Sequence, residues 1–324
     1  MNQNKGMRTL VLGGTRFLSR EIARQARDRG HEVVCAARGL AGDPPPDVEF
    51  VRVDRSEDGG LAPVRGAFDL VIDVARHPSL IRRAVAELAG RAGHWTLVSS
   101  TSVYADPSEA GPALHEPLAD EADEADPANY GPAKVACEQI VGDGALLVRA
   151  GLIVGPEDPF DRFAYWVDRF TRDGPVLAPG SPDDLVQLID ARDLTTWMLD
   201  AAERGLTGPY DGSCLPFARG KLLAEIAEGL KVQPELVWAD QEFLIEQKVA
   251  PWMGPRSLPM WVPLPDYAGF MARDTSATLA AGLHIRPIAD TTLDTLAWLR
   301  ESGHTVSSAG LTAVEEKELL GKLA

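Results

Sequence analysis

Cysteine is scarce in this sequence, with three residues among 324. Cys35, Cys137 and Cys214 form no CxxC motif, and any disulfide pairing leaves one of them over. The sequence therefore predicts neither a disulfide framework nor a zinc site, and this cysteine usage is typical of a reducing cytoplasm. No other metal site is expected, because the densest acidic segment, at 115 to 127, lacks the spacing and the central glycine of a calcium loop.

Long apolar runs are also missing. The opening residues MNQNKG contain no apolar segment, and no later stretch approaches the roughly 18 apolar residues of a membrane span. Positive charge is in deficit as well, because 32 Lys and Arg oppose 48 Asp and Glu and leave a net charge of −16. Such a charge disfavours phosphate backbones. We therefore expect a cytoplasmic protein with a small-molecule substrate and neither a nucleic-acid nor a membrane partner.

What the sequence does contain is an alternation of short apolar runs and amphipathic helical patterns. The apolar runs occupy 8–12, 31–38, 48–54, 68–75, 94–100 and 145–155. Continuous apolar strands that alternate with helices are typical of a parallel sheet covered on both faces. The sequence thus predicts an α/β fold with a doubly wound Rossmann sheet over residues 1–150. The segment at about 184–208, with Asp193 as the expected helix N-cap, rejoins this domain.

The remaining residues predict a smaller region. Residues 151–183 and 209–300 are expected to form a substrate-binding region in which the proline-rich segment 251–265 forms loops. Residues 301–324 are expected to form a C-terminal helical tail, and Thr312 with Glu315 has the pattern of a capping box.

A glycine turn follows the first strand. Gly13 and Gly14, in VLGGTRFLSREI, lie between a strand and a helix, as a phosphate-binding turn requires. Against a GxxGxxG spacing only Gly13 is a glycine, because Arg16 and Ser19 occupy the other two positions. Arg16 can contact a phosphate directly, and Ser19 is small enough for close helix packing. The expected cofactor contacts in this turn are Gly13, Thr15, Arg16, Phe17 and Leu18, although a turn that binds nothing is the alternative.

The end of the second strand bears on cofactor choice. The position where a carboxylate would bind the ribose 2′-hydroxyl is Ala37, and Arg38 follows it. This pair favours the 2′-phosphate of NADP over NAD, although an arginine here can equally be a surface residue. Asp54 is expected near the adenine, and Val74 and Ala75 are expected beneath the pyrophosphate.

Tyr130 and Lys134 lie four residues apart in NYGPAKVACEQI, so on a helix they share a face. A phenol ordinarily has a pKa near 10, and a neighbouring ammonium favours the phenolate. Such a pair can give a proton to a carbonyl or take one from an alcohol.

The motifs GGTRFLSR, FDLVIDVA, LVSSTSVYAD, YGPAK and VRAGLIVGPED occur in this order over residues 7 to 156. They resemble the extended short-chain dehydrogenase/reductase superfamily, in its NAD-dependent epimerase/dehydratase branch. The closer similarity is to bacterial reductases labelled isoflavone-reductase-like, and it extends through DRFAYWVDRF, VQLIDARDL and IRPIADTTLDTLAWLR to nearly the whole chain.

The resemblance implies roles for single residues. It makes Tyr130 the catalytic acid/base, Lys134 its activator and a ligand of the nicotinamide ribose, and Ser100 the hydroxyl that holds the substrate oxygen. Thr101 is the alternative to Ser100 and an expected substrate contact. Arg162 and Phe163 are further expected substrate contacts, with Arg162 binding an anionic group.

Departures from the family's patterns bear on the reaction. Dehydratases carry an Asp-Glu pair where this chain has Thr101 and Ser102, which disfavours dehydration. Many sugar-nucleotide epimerases have an asparagine shortly after the arginine of strand six, and RAGLIVGPED has none. We therefore expect an NADP-preferring reductase. The alternatives are an NAD-dependent epimerase that acts on a sugar or sugar nucleotide, and a non-catalytic dinucleotide-binding sensor.

The resemblance also implies a homodimer. Extended members of the superfamily commonly pair through the helices that correspond to 79–92 and 128–142. The first of these helices has apolar residues at helical spacing, at Leu80, Ile81, Ala84, Val85 and Leu88.

Overall fold

The computed structural model describes residues 6–323. The first five residues of the predicted nucleotide domain and Ala324 of the predicted tail lie outside this range. In chain order the strands are β1 (Arg8–Leu12), β2 (Glu32–Ala37), β3 (Glu49–Arg52), β4 (Phe68–Asp73), β5 (Ala92–Ser100), β6 (Leu146–Ala150), β7 (Ile153–Val154), β8 (Val176–Pro179), β9 (Leu185–Val186), β10 (Ile189–Asp190), β11 (Gly208–Gly212), β12 (Phe217–Ala218), β13 (Leu236–Ala239), β14 (Ala250–Trp252), β15 (Gly254–Pro255), β16 (Ser257–Pro259) and β17 (Ala309–Gly310).

The helices alternate with these strands in the first half of the chain. They are α1 (Phe17–Asp28), α2 (Pro78–Glu87), α3 (Tyr130–Val141), α4 (Arg162–Phe170), α5 (Ala191–Glu203), α6 (Arg219–Leu230), α7 (Gln241–Glu246), α8 (Ser276–Ala280), α9 (Ile288–Ser302) and α10 (Ala313–Leu323). Short 3₁₀ helices occupy Thr101–Val103, Glu121–Asp123 and Pro127–Asn129. Within residues 6–323, no helix combines the length and apolar character needed to cross a membrane.

A seven-stranded sheet organises the larger part of the molecule. Its strand order is β11-β6-β5-β4-β1-β2-β3, and every neighbouring pair is parallel. The central strand β1 is buried on both faces, because Leu10, Val11 and Leu12 have no exposed surface. Helices α1 and α5 pack together on one face, and α2 and α3 pack together on the other. The predicted doubly wound Rossmann sheet is therefore confirmed.

The segment that rejoins the sheet extends further than expected. The return was predicted to stop near residue 208, but Gly208–Gly212 forms β11 and pairs with β6 as the last strand of the sheet. The predicted N-cap was also wrong. Asp190, at the end of β10, accepts a hydrogen bond from the backbone N–H of Arg192 and caps α5. Asp193 lies inside α5, where its carboxylate binds Arg286.

The smaller region has its own apolar core. Helices α4, α6 and α9 contribute to it, and the indole of Trp166 and the ring of Phe170 meet edge to face. Part of the proline-rich segment predicted as loops forms short strands instead, since β14 and β16 pair in parallel.

The C-terminal helix α10, which lies within the predicted helical tail, packs against this same core. Leu319 is fully buried, and the buried carboxylate of Glu316 accepts hydrogen bonds from Arg169 Nε and the backbone N–H of Leu177. Thr312 and Glu315 exchange hydrogen bonds, so the predicted capping box is confirmed.

The apolar spacing on α2 has an explanation within one chain. Ile81, Ala84 and Leu88 are buried against the sheet, and Leu80 and Val85 pack beside α3. Burial in the monomer therefore accounts for the pattern, and the homodimer through α2 and α3 stays a prediction.

The buried Arg169–Glu316 ion pair generates a stability prediction. We expect Glu316→Gln to lower the free energy of unfolding by about 3–5 kcal/mol, because the guanidinium of Arg169 is then left buried without a countercharge. Glu318→Gln is the matched control on the same helix, since Glu318 forms an exposed pair with Lys322 and its loss should be hard to detect. Chemical denaturation of the two variants measures the difference. Equal effects would contradict the proposed role of the buried pair.

Candidate active site

Two cavities open along the edge where the parallel strands end, which is the edge where ligands bind in open α/β sheets. The first has a volume of about 510 Å³ and lies over the ends of β4, β5 and β6. The second, of about 410 Å³, lies over the ends of β1, β2 and β3. The first cavity contains predicted catalytic and substrate residues, and the second contains residues predicted to bind adenosine.

The glycine turn joins β1 to α1 beside the second cavity. Gly13 and Gly14 have φ angles of 135° and 94°, which side chains rarely tolerate. A Cβ on Gly14 would lie 2.4 Å from Cys35 Sγ, so only glycine fits. Helix α1 begins at Phe17 without a side-chain cap, which leaves the N–H groups of its first turn free for phosphate oxygens. The turn therefore fits a pyrophosphate although two of the three motif glycines are absent.

The second cavity brings together four of the predicted cofactor residues, Gly13, Ala37, Arg38 and Asp54. The Asp54 carboxylate accepts hydrogen bonds from the hydroxyl and backbone N–H of Ser56, and these bonds lower its pKa. Arg38 is exposed, and within residues 6–323 no carboxylate oxygen lies within 4.0 Å of its guanidinium. The charge of Arg38 also helps to lower the pKa of Asp54, so a 2′-phosphate would share this guanidinium with the Asp54 carboxylate.

An ion pair that sequence reasoning missed lies in the second cavity. Arg55 lines the cavity, and its two terminal nitrogens donate to the two carboxylate oxygens of Asp73 at 2.6 and 2.8 Å. Asp73 ends β4, is fully buried, and also accepts the backbone N–H of Ala75. Asp73, the acidic residue that ends the apolar run FDLVID, is the only signal in the sequence that could have indicated this pair.

The first cavity gathers Phe17, Val74, Ser100, Thr101, Tyr130 and Arg162 from the predicted site. Ser100 ends β5 and its hydroxyl caps the following 3₁₀ turn, accepting from the backbone N–H of Ser102 at 3.1 Å. Gly131 lets α3 approach this turn closely, because a Cβ there would lie 2.4 Å from the Ser102 carbonyl oxygen. Tyr130, the residue before that glycine, is thereby held at the cavity beside the end of β5.

Tyr130 and Lys134 occupy successive turns of α3 and differ in burial. The Tyr130 side chain opens into the cavity and the residue is 37% exposed, whereas Lys134 is 2% exposed. Lys134 Nζ donates to the Ala75 carbonyl oxygen at 2.9 Å and to the Val98 carbonyl oxygen at 2.7 Å. An ammonium carries three N–H donors, so one remains for a ligand such as a ribose hydroxyl.

Several predicted residues, Lys134 among them, line neither cavity. Phe163 has no exposed surface and belongs to the core of the smaller region, so the structure contradicts its prediction as a substrate contact. It lies on the inner face of α4, whose first residue Arg162 faces the cavity. The side chains of Thr15 and Leu18 are also buried, whereas Arg16 is exposed to solvent. The carbonyl oxygen of Ala75 accepts a hydrogen bond from Lys134. For Thr15 and Leu18 only the backbone of the turn remains as a cofactor contact.

The far wall of the first cavity is formed by the smaller region. Arg162 lies between two aromatic rings, 5.0 Å from the Phe160 centroid and 5.4 Å from a Trp252 centroid. Burial raises the pKa of nearby Asp158 to about 6, against an opposing effect of Arg162, 3.9 Å away.

Arg273 is a second cationic residue in this wall, and sequence reasoning missed it. Its guanidinium carbon lies 3.3 Å from the Tyr104 ring centroid, and its Nε lies 3.6 Å from Asp211. The Tyr104 hydroxyl donates to Asp211, and burial raises the pKa of both groups. Arg273 lies between β16 and α8, more than 100 residues beyond the motifs that contain Ser100 and Tyr130, and nothing in its local sequence indicates a site.

Comparison with known proteins identifies the family. The model described as the NAD dependent epimerase/dehydratase family matches residues 9–211. A segment of 34 residues is 62% identical to the photosystem II assembly factor Ycf39 of Synechocystis sp., but it spans 10% of this chain and 10% of that protein. So short a match carries no functional conclusion.

Solved structures share the fold over nearly the whole chain. The enzyme WbmH of Bordetella bronchiseptica, solved in complex with NAD+, has 16% identity and a TM-score of 0.63, with 92% of this chain and 100% of that chain covered. UDP-N-acetylglucosamine 4-epimerase of Methanobrevibacter ruminantium has 13% identity and a TM-score of 0.67, with 92% and 99% covered. At these identities the likeness shows the fold alone. Because the family model matches well over half of the chain, this protein belongs to the NAD-dependent epimerase/dehydratase family.

Proposed function

We propose that this protein transfers hydride between a nicotinamide cofactor and a carbon atom of a small-molecule alcohol or carbonyl compound, with Tyr130 as the acid/base. The observation that carries the proposal is the position of Tyr130. Its side chain opens into the first cavity beside Ser100, one helical turn from the buried ammonium of Lys134. A protein that only bound a dinucleotide would not need a phenol, a hydroxyl and an ammonium together at this point.

In the proposed mechanism each side chain has a separate task. When bound, the cofactor supplies or accepts the hydride. The turn at Gly13 would hold its pyrophosphate, Arg38 its adenosine 2′-phosphate, and Lys134 its nicotinamide ribose. The hydroxyls of Ser100 and Tyr130 bind and orient the substrate oxygen. Tyr130 gives its proton to that oxygen as a carbonyl is reduced, or removes it as an alcohol is oxidised. The positive charge of Lys134 stabilises the phenolate that results.

Net reduction with NADPH is the form of this chemistry that we propose for the chain. Ala37 and Arg38 suit a 2′-phosphate, and Thr101 and Ser102 replace the Asp-Glu pair that a dehydratase would use. Ala150 and Gly151 follow Arg149, so no asparagine is available at this point for a nucleotide diphosphate.

Epimerisation is the second candidate, and the family itself favours it. UDP-sugar 4-epimerases are among the solved proteins that share this fold. An epimerase would oxidise and then reduce the same carbon without net consumption of cofactor. A spectrum of the purified protein, followed by the absorbance of added NADPH during turnover, separates the two reactions: retained cofactor and no net consumption would contradict the reductase.

We expect Tyr130→Phe to lower turnover by about 10²–10⁴-fold with little loss of cofactor binding, because the change deletes the proton donor and keeps Lys134. Tyr210→Phe is the matched control, since Tyr210 packs against Trp197 away from the first cavity and should leave turnover unchanged. Steady-state kinetics on a substrate found by screening carbonyls and alcohols provides the measurement. A Tyr130→Phe enzyme within about twofold of wild type would refute the acid/base role.

Cofactor preference generates a further prediction. A guanidinium binds a 2′-phosphate through charge-assisted hydrogen bonds worth about 1.5–3 kcal/mol, which corresponds to a preference of roughly 10- to 150-fold for NADP over NAD. Arg38→Ala should remove most of this preference, whereas Arg82→Ala, which deletes an exposed arginine on α2, should not. Calorimetric titration of wild type and both variants with NADP and NAD measures it. Equal or tighter binding of NAD by the wild type would show that Arg38 does not contact the cofactor.

A further inference from the structure

The first cavity has a charge opposite to that of the whole protein. Among the described residues that line it, three are arginines, Arg76, Arg162 and Arg273, and none is Asp or Glu. The chain as a whole carries 48 acidic and 32 basic residues. Asp158 and Asp211 lie behind two of these arginines, within 4.0 Å of them, so the charged groups at the cavity surface itself are cationic and favour an anion.

Two of these arginines already have an environment that explains them. Arg273 stacks on Tyr104, donates to the Gly111 carbonyl oxygen and lies beside Asp211. Arg76 is exposed, and its Nε bonds the neighbouring His77.

Arg162 is the least satisfied of the three. The Nε of Arg273 is likewise buried without a hydrogen-bond partner among the described residues, but Arg273 has a hydrogen bond of 2.8 Å to Gly111 and a carboxylate oxygen at 3.6 Å. The side chain of Arg162 is 11% exposed, and its Nε has no hydrogen-bond partner among the described residues. The one side-chain hydrogen bond that it makes within residues 6–323 is a long contact of 3.4 Å with the Ile153 carbonyl oxygen. The nearest carboxylate oxygen in that range, Asp158 Oδ2, lies 3.9 Å from Nε and itself has no hydrogen-bond partner there. A guanidinium has five N–H donors, and leaving a buried charge unsatisfied is costly.

The surroundings of Arg162 indicate what would satisfy it. The guanidinium carbon lies over the Phe160 and Trp252 rings, 5.0 and 5.4 Å from their centroids. The planar fork of a guanidinium matches the two oxygens of a single oxyanion group. Arg162 and Tyr130 line one cavity and lie close enough to interact electrostatically, so that group would be held within the same substrate as the reacting carbon.

The remainder of the wall is apolar. Five aromatic or thioether side chains line the cavity on this side, namely Phe160, Trp252, Met253, Phe270 and Met271. Such a wall contacts the body of a substrate that is itself aromatic or aliphatic.

We propose that the substrate carries one oxyanion group, a carboxylate or a phosphate, on an apolar or aromatic body, and that Arg162 binds this group. The inference rests on the proposed function, because it specifies the substrate class of the same cavity. Arg162 would thus select substrates that carry an oxyanion group, and Tyr130 would transfer the proton.

The test measures binding rather than turnover. Benzoate, phenyl phosphate and neutral benzamide are titrated by calorimetry into the NADP-saturated protein. At least one of the two anions should bind about 10- to 150-fold more tightly than benzamide. The stronger of the two identifies the oxyanion as carboxylate or phosphate. Arg162→Gln should abolish the preference, Arg162→Lys should retain part of it, and the surface control Arg82→Gln should leave it unchanged.

Three results would overturn the proposal: equal binding of benzamide and both anions, no binding of either anion, or a preference that survives Arg162→Gln. If the glutamine variant does not fold, the lysine variant decides, because an undiminished preference there would exclude recognition by the guanidinium fork. Tyr130→Phe should keep the anion preference in full. Normal turnover by Tyr130→Phe would thus defeat the proposed function alone, whereas a missing anion preference would defeat this inference alone.

Discussion

The geometry of the site depends on the hydrogen bonds of the Lys134 ammonium group. This group bonds the Ala75 carbonyl after β4 and the Val98 carbonyl within β5, so one side chain from α3 ties the helix to two neighbouring strands. A buried ammonium without these acceptors would be costly, which gives the helix one favourable position against the sheet. That position places Tyr130, one turn earlier, in the cavity at the end of β5. The same two hydrogen bonds therefore hold α3 against the sheet and Tyr130 at the cavity.

The same edge of the sheet supplies both halves of the site. Gly13 and Gly14 shape the turn after β1, Arg38 follows β2, and Ser100 ends β5. The smaller region closes the opposite side with Arg162 and Arg273. In the proposed function, the Rossmann domain provides cofactor binding and proton transfer, and the smaller region contacts the substrate.

Much of this arrangement was predictable because local patterns determine it. Apolar runs indicated the parallel strands, and the spacing of Tyr130 and Lys134 indicated their shared helix face. Other features depend on contacts between distant segments. Asp193 is a residue type that commonly caps helices, but the pairing of β10 with β7 ends at Asp190. Helix α5 therefore begins directly after Asp190, and the N-cap lies three residues earlier than predicted. Phe163 adjoins Arg162 in sequence, but consecutive helical residues point in different directions, and Phe163 turns into the core. Arg55 and Arg273 reach the cavities only through tertiary packing.

The proposed function requires one dinucleotide to span both cavities and to bring its nicotinamide to Tyr130. A crystal structure of the protein with bound NADP is the decisive measurement. We expect the 2′-phosphate against Arg38, the pyrophosphate at the start of α1, and the nicotinamide ribose within hydrogen-bond distance of Tyr130 and of the remaining N–H of Lys134. A nicotinamide that lies outside the first cavity, with Tyr130 and Lys134 free of the ribose, would contradict it.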